Sequence, residues 1–158
     1  MTQPKLEVIG GQETTESSST WAQLRASAEE AARSEPHLGS MMNATILSHL
    51  DLANSLSFQI ARKIGDAELA PMSVREVCAF AFWSDPSIVA AAEADLRAVA
   101  ERDPAIRSLL QPFLYFKGFQ ALQASRVAHW LWTQGRETLA FHFQSRIDRK
   151  STRLNSSH

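Results

Sequence analysis

Few side chains in this sequence have the type and spacing that chemistry on a charged group requires. Arg126 and His129 stand three residues apart, so on a helix they share a face and could position an anion or a partner carboxylate. The plainer reading of the two is a polar helix-surface or interface pair beside Trp130. Asp103 precedes Pro104, and on local grounds its carboxylate is a cap, accepting from free backbone N–H groups of the next turn. His37 and His49 are isolated at helical or helix-edge positions, where a hydrogen-bonded imidazole is commoner than a ligating one. Neither is assigned a site.

Cys78 is the only cysteine and lies among Val77, Ala79 and Phe80. Apolar surroundings raise a thiol pKa, so it is expected to pack in the core rather than act as a nucleophile. A single cysteine also excludes an internal disulfide, and no set of cysteines and histidines has zinc-ligand spacing; no metal site is expected. Phe113, Tyr115, Phe116, Phe119, Trp130 and Trp132 are numerous enough for a base-stacking platform, but such platforms work beside a basic groove. Core and subunit contacts account for them more simply.

The elements that would position these residues are helical throughout. Met1 to Ser19 is polar, with Gly10 to Ser19 lacking apolar side chains to offset the entropy of ordering, and is expected to be a disordered leader. Thr20 with Gln23 has the form of a capping box, opening a helix from Trp21 to Arg33 that Pro36 should stop. Apolar positions return at helical spacing from Leu38 to Ile64, as one long helix or as two shorter ones with a break near His49-Leu50-Asp51. Ser73 with Glu76 repeats the capping box before Val74 to Trp83. Asp85-Pro86 opens an alanine-rich helix ending near Glu101 or Arg102. Asp103-Pro104 leads a short segment to Leu110. A helix follows from Gly118 to Gln134, with Gly135 as its C-terminal cap, and another from Glu137 to about Ile147. No stretch alternates as a half-buried strand would. The expectation is an all-α domain of about six to eight helices over residues 20–147.

The last eleven residues, Asp148 to His158, leave this pattern abruptly, and a back-translation of them resembles a common short-read library adapter. Residues 148–158 are therefore expected to be an artefactual tail, the natural chain continuing differently after Ile147.

Charge narrows the partners. The net charge is −1 over 158 residues, and the tail holds three basic residues against one acidic, so the rest is more acidic still. That balance speaks against a phosphate backbone as partner. No apolar run is long enough to span a bilayer, and the polar start is unlike a secretory signal. A cytoplasmic location is expected.

The segment from Pro112 to Trp132, Pro-Phe-Leu-Tyr-Phe-Lys-Gly-Phe-Gln-Ala-Leu-Gln-Ala-Ser-Arg-Val-Ala-His-Trp-Leu-Trp, resembles the pattern of serine O-acetyltransferases. Three upstream segments agree in the same order: Ala44-Thr45-Ile46-Leu47 with His49, Arg75-Glu76-Val77, and Arg102-Asp103-Pro104-Ala105. The resemblance covers about Trp21 to Arg146. It implies a subunit of two parts, a helical domain and then a left-handed parallel β-helix of hexapeptide repeats, with only the first part present here. It implies acetyl transfer from acetyl-CoA to the hydroxyl of L-serine, the step that opens cysteine synthesis, with the catalytic histidines in the missing domain. This chain would then hold no catalytic residue and no cofactor, and would be inactive alone. Of the family's substrate-binding residues, one falls here: Asp103, whose carboxylate would pair with the substrate ammonium. The resemblance further implies a hexamer, two trimers joined through helical domains, and O-acetylserine sulfhydrylase as a partner of the missing C-terminus. The alternative is a free-standing helical oligomerisation or interaction module without catalysis.

Overall fold

The computed structural model describes the backbone of residues 11–155 and the side chains of residues 19–149. Among these residues every regular element is helical: α1 (Gly11–Ser34), α2 (Gly39–Met42), α3 (Leu52–Ile64), α4 (Pro71–Ser84), α5 (Ser87–Arg102), α6 (Leu110–Tyr115), α7 (Lys117–Thr133) and α8 (Glu137–Asn155). A 3₁₀ turn (Pro36–Leu38) joins α1 to α2, and a π-helical turn (Asn43–Leu47) follows α2. The all-α expectation holds, with eight α-helices among the described residues.

Most boundaries lie where proline and aspartate place them. Pro36 ends α1 as expected, and the break near His49 to Asp51 is real: Asp51 is the N-cap of α3, accepting from the Asn54 N–H at 2.8 Å. Asp85 accepts from the Ser87 N–H at 3.1 Å at the start of α5. Beyond α7 the chain closes with paired bonds from the Gly135 N–H to the Trp132 carbonyl (3.0 Å) and from the Arg136 N–H to the Leu131 carbonyl (2.9 Å). That motif needs a left-handed residue, and Gly135 has φ +75°.

Both capping boxes fail, for the same reason. α4 begins at Pro71, whose fixed φ suits the first helical position, so Ser73 and Glu76 already lie inside the helix. Thr20 is buried within α1, which extends back to Gly11, and the Gln23 amide donates to the Ser19 hydroxyl at 3.2 Å instead. Once the Trp21–Ser34 segment is helical, each preceding residue adds one backbone bond for one residue fixed, and Ser, Thr and Glu do not forbid it. Of the expected leader, residues 1–10 lie outside the described residues, as do 156–158 of the tail. α8 likewise runs past Ile147 to Asn155.

Two helix pairs, α3 with α4 and α7 with α8, pack most extensively, and α5 lies across α7. The core they share with α1 and α6 includes Leu24, Ile60, Val74, Leu96, Phe113, Leu131 and Phe143, all almost fully buried. Each such side chain gives roughly 1.5–3 kcal/mol on leaving water. Two turns are locked to this frame. Gly65, ending α3, leaves no space for a Cβ, which would sit 2.6 Å from the Ala61 carbonyl and 2.7 Å from Pro71 Cα. Beside it the Asp66 carboxylate accepts from the Glu68 and Leu69 N–H groups and pairs with the buried Arg146 of α8, which also meets Glu68. The Leu69 and Glu68 backbone bonds, and after them the Arg146 charge, favour ionised Asp66 and hold its pKa below the usual carboxylate range.

Candidate functional site

Asp103 stands at the C-terminal end of α5, exposed, in extended backbone conformation. Its N–H donates to the Val99 carbonyl at 3.2 Å, which ties it to the last turn of the helix. Its side chain then folds onto the following turn, Oδ1 accepting from the Ala105 N–H at 2.9 Å while the Ile106 N–H donates to its carbonyl at 3.0 Å. Pro104 has no N–H to compete for the carboxylate. The local cap-like role expected of Asp103 is therefore met by a turn rather than by a new helix. The result is a carboxylate fixed on its backbone yet open to solvent, which is what ion pairing with a small cationic ligand requires.

Arg126 does not join His129. Its Nη1 donates across the helix interface to Asp95 Oδ2 on α5 and along α7 to Gln123 Oε1 at 2.7 Å. Gln123 Nε2 completes a triangle by donating to Asp95 Oδ2 at 2.9 Å. Burial alone would raise the Asp95 pKa, but the hydrogen bonds from Arg126 and Gln123 and the Arg126 charge outweigh it and lower the value. His129 is exposed one turn on, beside Arg126 on the wall of a groove of about 440 Å³ that also includes Asp85 and Trp130. A second groove, of about 480 Å³, runs between α5 and the start of α7; Asp95, Arg102, Lys117, Phe116 and Leu122 line it.

The sequence reading missed Asp95 and Gln123, yet a signal was present. Gln123 falls four residues after Phe119 and four before Val127, in the apolar stripe of α7, and Asp95 lies beside Leu96 in that of α5. A polar residue in the buried register of one helix requires a polar partner on the facing one.

The remaining candidates are structural. Cys78 is fully buried and burial pushes its thiol pKa up to about 12, so it is unreactive when folded. His37 is exposed in the 3₁₀ turn. His49 is buried against Phe58, with ring centroids 5.3 Å apart, and its Nε2 lies 2.9 Å from the Ala44 carbonyl. Because a carbonyl can only accept, that nitrogen carries the proton. Carbonyls of the π-helical turn and of the bend after it are taken up by side chains: Arg25 donates to those of Leu47 and His49, and Ser55 to that of Thr45. Phe113, Phe119 and Trp130 are core residues, whereas Tyr115 and Trp132 are about half exposed. Among the described residues no group of three or more His, Cys, Asp or Glu side chains could hold a metal. No described helix is long and apolar enough to cross a membrane.

Residues 20–124 match the family described as "Serine acetyltransferase, N-terminal". The chain is 42% identical over 127 residues to the serine acetyltransferase of Escherichia coli strain K12, covering 80% of this chain and 46% of that protein. It is 43% identical over 132 residues to serine acetyltransferase 5 of Arabidopsis thaliana, covering 84% of this chain and 42% of the relative. The fold superposes on soybean serine acetyltransferase complexed with serine at a TM-score of 0.82, with 46% identity, over 85% of this chain and 55% of that one. The chain thus spans about half the length of the relatives it matches.

Proposed function

The chain belongs to the serine acetyltransferase family, matching its N-terminal domain, and from that premise we propose that it is the helical half of an enzyme transferring an acetyl group from acetyl-CoA to L-serine. The observation that carries this reading is the family match over most of the described helices, together with Asp103 on a rigid, solvent-open turn at the end of α5. A carboxylate so placed can hold the substrate ammonium while leaving the serine hydroxyl free to attack the thioester carbonyl. A general base removes the hydroxyl proton, backbone donors stabilise the oxyanion that forms, and its collapse breaks the C–S bond, the CoA thiolate leaving with the proton the base returns; those groups belong to the part of the enzyme that this chain does not span. Acting alone, the 158-residue chain contributes substrate binding and no acid–base group.

The same reading includes assembly and location. Phe80, Trp83, Trp132 and Phe141 are exposed large apolar side chains, paired as Phe80 with Trp83 and Trp132 with Phe141, and such pairs on a helical surface favour subunit contacts over open water. Two trimers joined through these domains, O-acetylserine sulfhydrylase docking on the far end of the complete enzyme, and a cytoplasmic setting belong to this proposal.

The test is to express the full reading frame amplified from genomic template across the codon for Ile147 and to measure O-acetylserine formed from acetyl-CoA and L-serine. Acetyl transfer from a frame that continues into hexapeptide repeats supports the reading. A natural stop after His158 and a product without transferase activity would contradict it and leave a helical interaction module.

A further inference from the structure

Asp95, Gln123 and Arg126 form a directional lock between α5 and α7. Along this seam α5 presents Ala92 and Leu96 and α7 presents Val127, all buried. Apolar contact is non-directional and tolerates small slides and tilts. Hydrogen bonds do not. Asp95 Oδ2 is gripped from two positions one turn apart on α7, by Gln123 Nε2 and by Arg126 Nη1, and Arg126 is braced in turn on Gln123 Oε1. A turn or shift of α5 against α7 breaks at least one of these bonds.

What α5 carries at its end is Asp103. Eight residues separate Asp95 from Asp103, about 12 Å at the helical rise, so a tilt of about 5° at Asp95 displaces Asp103 by ~1 Å. The Asx turn fixes the Asp103 carboxylate to its backbone, so the displacement reaches the carboxylate undiminished. A misplacement of about 1 Å at a reacting site costs on the order of 10²-fold.

We propose that Asp95 and Arg126, braced by Gln123, are positioning residues that set where α5 delivers the Asp103 carboxylate to the substrate. The inference rests on the reading of Asp103 as the ammonium contact. The Arg126 and Asp95 side chains are 28% and 27% exposed, so removing either leaves its partner a path to water, and the domain keeps its fold.

The experiment uses the full-length enzyme and measures KM for L-serine, KM for acetyl-CoA, kcat and Tm in Arg126→Gln, Asp95→Asn, Asp103→Ala and the Arg126→Gln/Asp103→Ala double variant. Arg126→Gln and Asp95→Asn are expected to raise KM for L-serine by about tenfold or more, with KM for acetyl-CoA within about twofold and Tm within a few degrees. The double variant should bind serine no worse than Asp103→Ala alone, since the lock acts through Asp103. Arg126→Lys, which keeps the charge but replaces the planar guanidinium whose Nη1 meets both Asp95 and Gln123 with a single ammonium, should recover part of the loss. Equal rises in both KM values, or a double variant whose effects add, would overturn the inference, because a loosened fold would give either. An unchanged serine KM in Arg126→Gln while Asp103→Ala raises it would overturn the inference alone. No effect from Asp103→Ala would overturn the reading beneath it.

Discussion

Replacing Gln59 by methionine should stabilise this domain, against the usual direction of core substitutions. Gln59 lies on α3 and is almost fully buried. Its Nε2 donates at 3.4 Å to both the Phe113 and Leu114 carbonyls in the last turn of α6, where backbone donors run out. Its Oε1 is buried with no partner among the described residues. Turning the amide over would put that oxygen against two carbonyls, so the orientation is settled by chemistry. Methionine is nearly isosteric and unbranched, and removes the orphan oxygen, worth roughly 1–3 kcal/mol of desolvation. The loss is two long bonds made by one amide. Leu114 keeps a stronger donor, Gln120 Nε2 at 2.7 Å, and Phe113 keeps Gln120 at 3.4 Å, so the loss is at most about 1 kcal/mol. The balance favours Gln59→Met by about 1 kcal/mol, a rise in Tm of roughly 2–4 °C for a chain of this size. Differential scanning calorimetry of the two proteins decides it. A fall in Tm of several degrees would refute the reasoning and mean that Oε1 has a partner in solution, such as a buried water.

Three further outcomes follow from the same structure. The folded pKa of Asp66 lies below its unfolded value, so its contribution to stability is present above about pH 4 and is lost as pH falls through the lowered value; Asp66→Asn should flatten the loss of urea midpoint in that acid window while lowering the midpoint at neutral pH. Cys78, with its pKa pushed up to about 12, should resist a thiol-specific disulfide reagent at pH 8 and react at once when the chain is unfolded in guanidinium; rapid reaction of the folded protein would contradict its burial. Deleting residues 148–158 should shift Tm by less than about 2 °C, because the buried Phe143, Arg146 and Ile147 all precede the cut; a large drop in calorimetry would show that the tail belongs to the fold.

The sequence was most legible where local chemistry acts alone. Pro36, Asp51, Asp85 and Gly135 each mark a boundary because a fixed φ, a carboxylate acceptor or a left-handed residue decides the backbone within a few positions. It misled where a local motif competed with propagation, as at Thr20, whose hydroxyl looks like a cap only if the preceding residues are not already helical. It was silent on pairings across the fold. Arg126 and His129 share a face by spacing, but what Arg126 touches depends on which residue of α5 lies opposite, and no periodicity carries that. Arg146 is the same case: its partners, Asp66 and Glu68, lie about eighty residues earlier on a turn that Gly65 allows to pack tightly. The role proposed for Asp103 comes only from the family resemblance, since locally it is a turn-forming aspartate like many others.

Steady-state kinetics of the full-length enzyme with Asp103→Ala should show KM for L-serine raised by about tenfold or more, on the order of the 1.5–3 kcal/mol of a charge-assisted bond, with KM for acetyl-CoA unchanged. An enzyme that binds serine as well without the Asp103 carboxylate would contradict the assignment of α5 and its terminal turn to substrate binding.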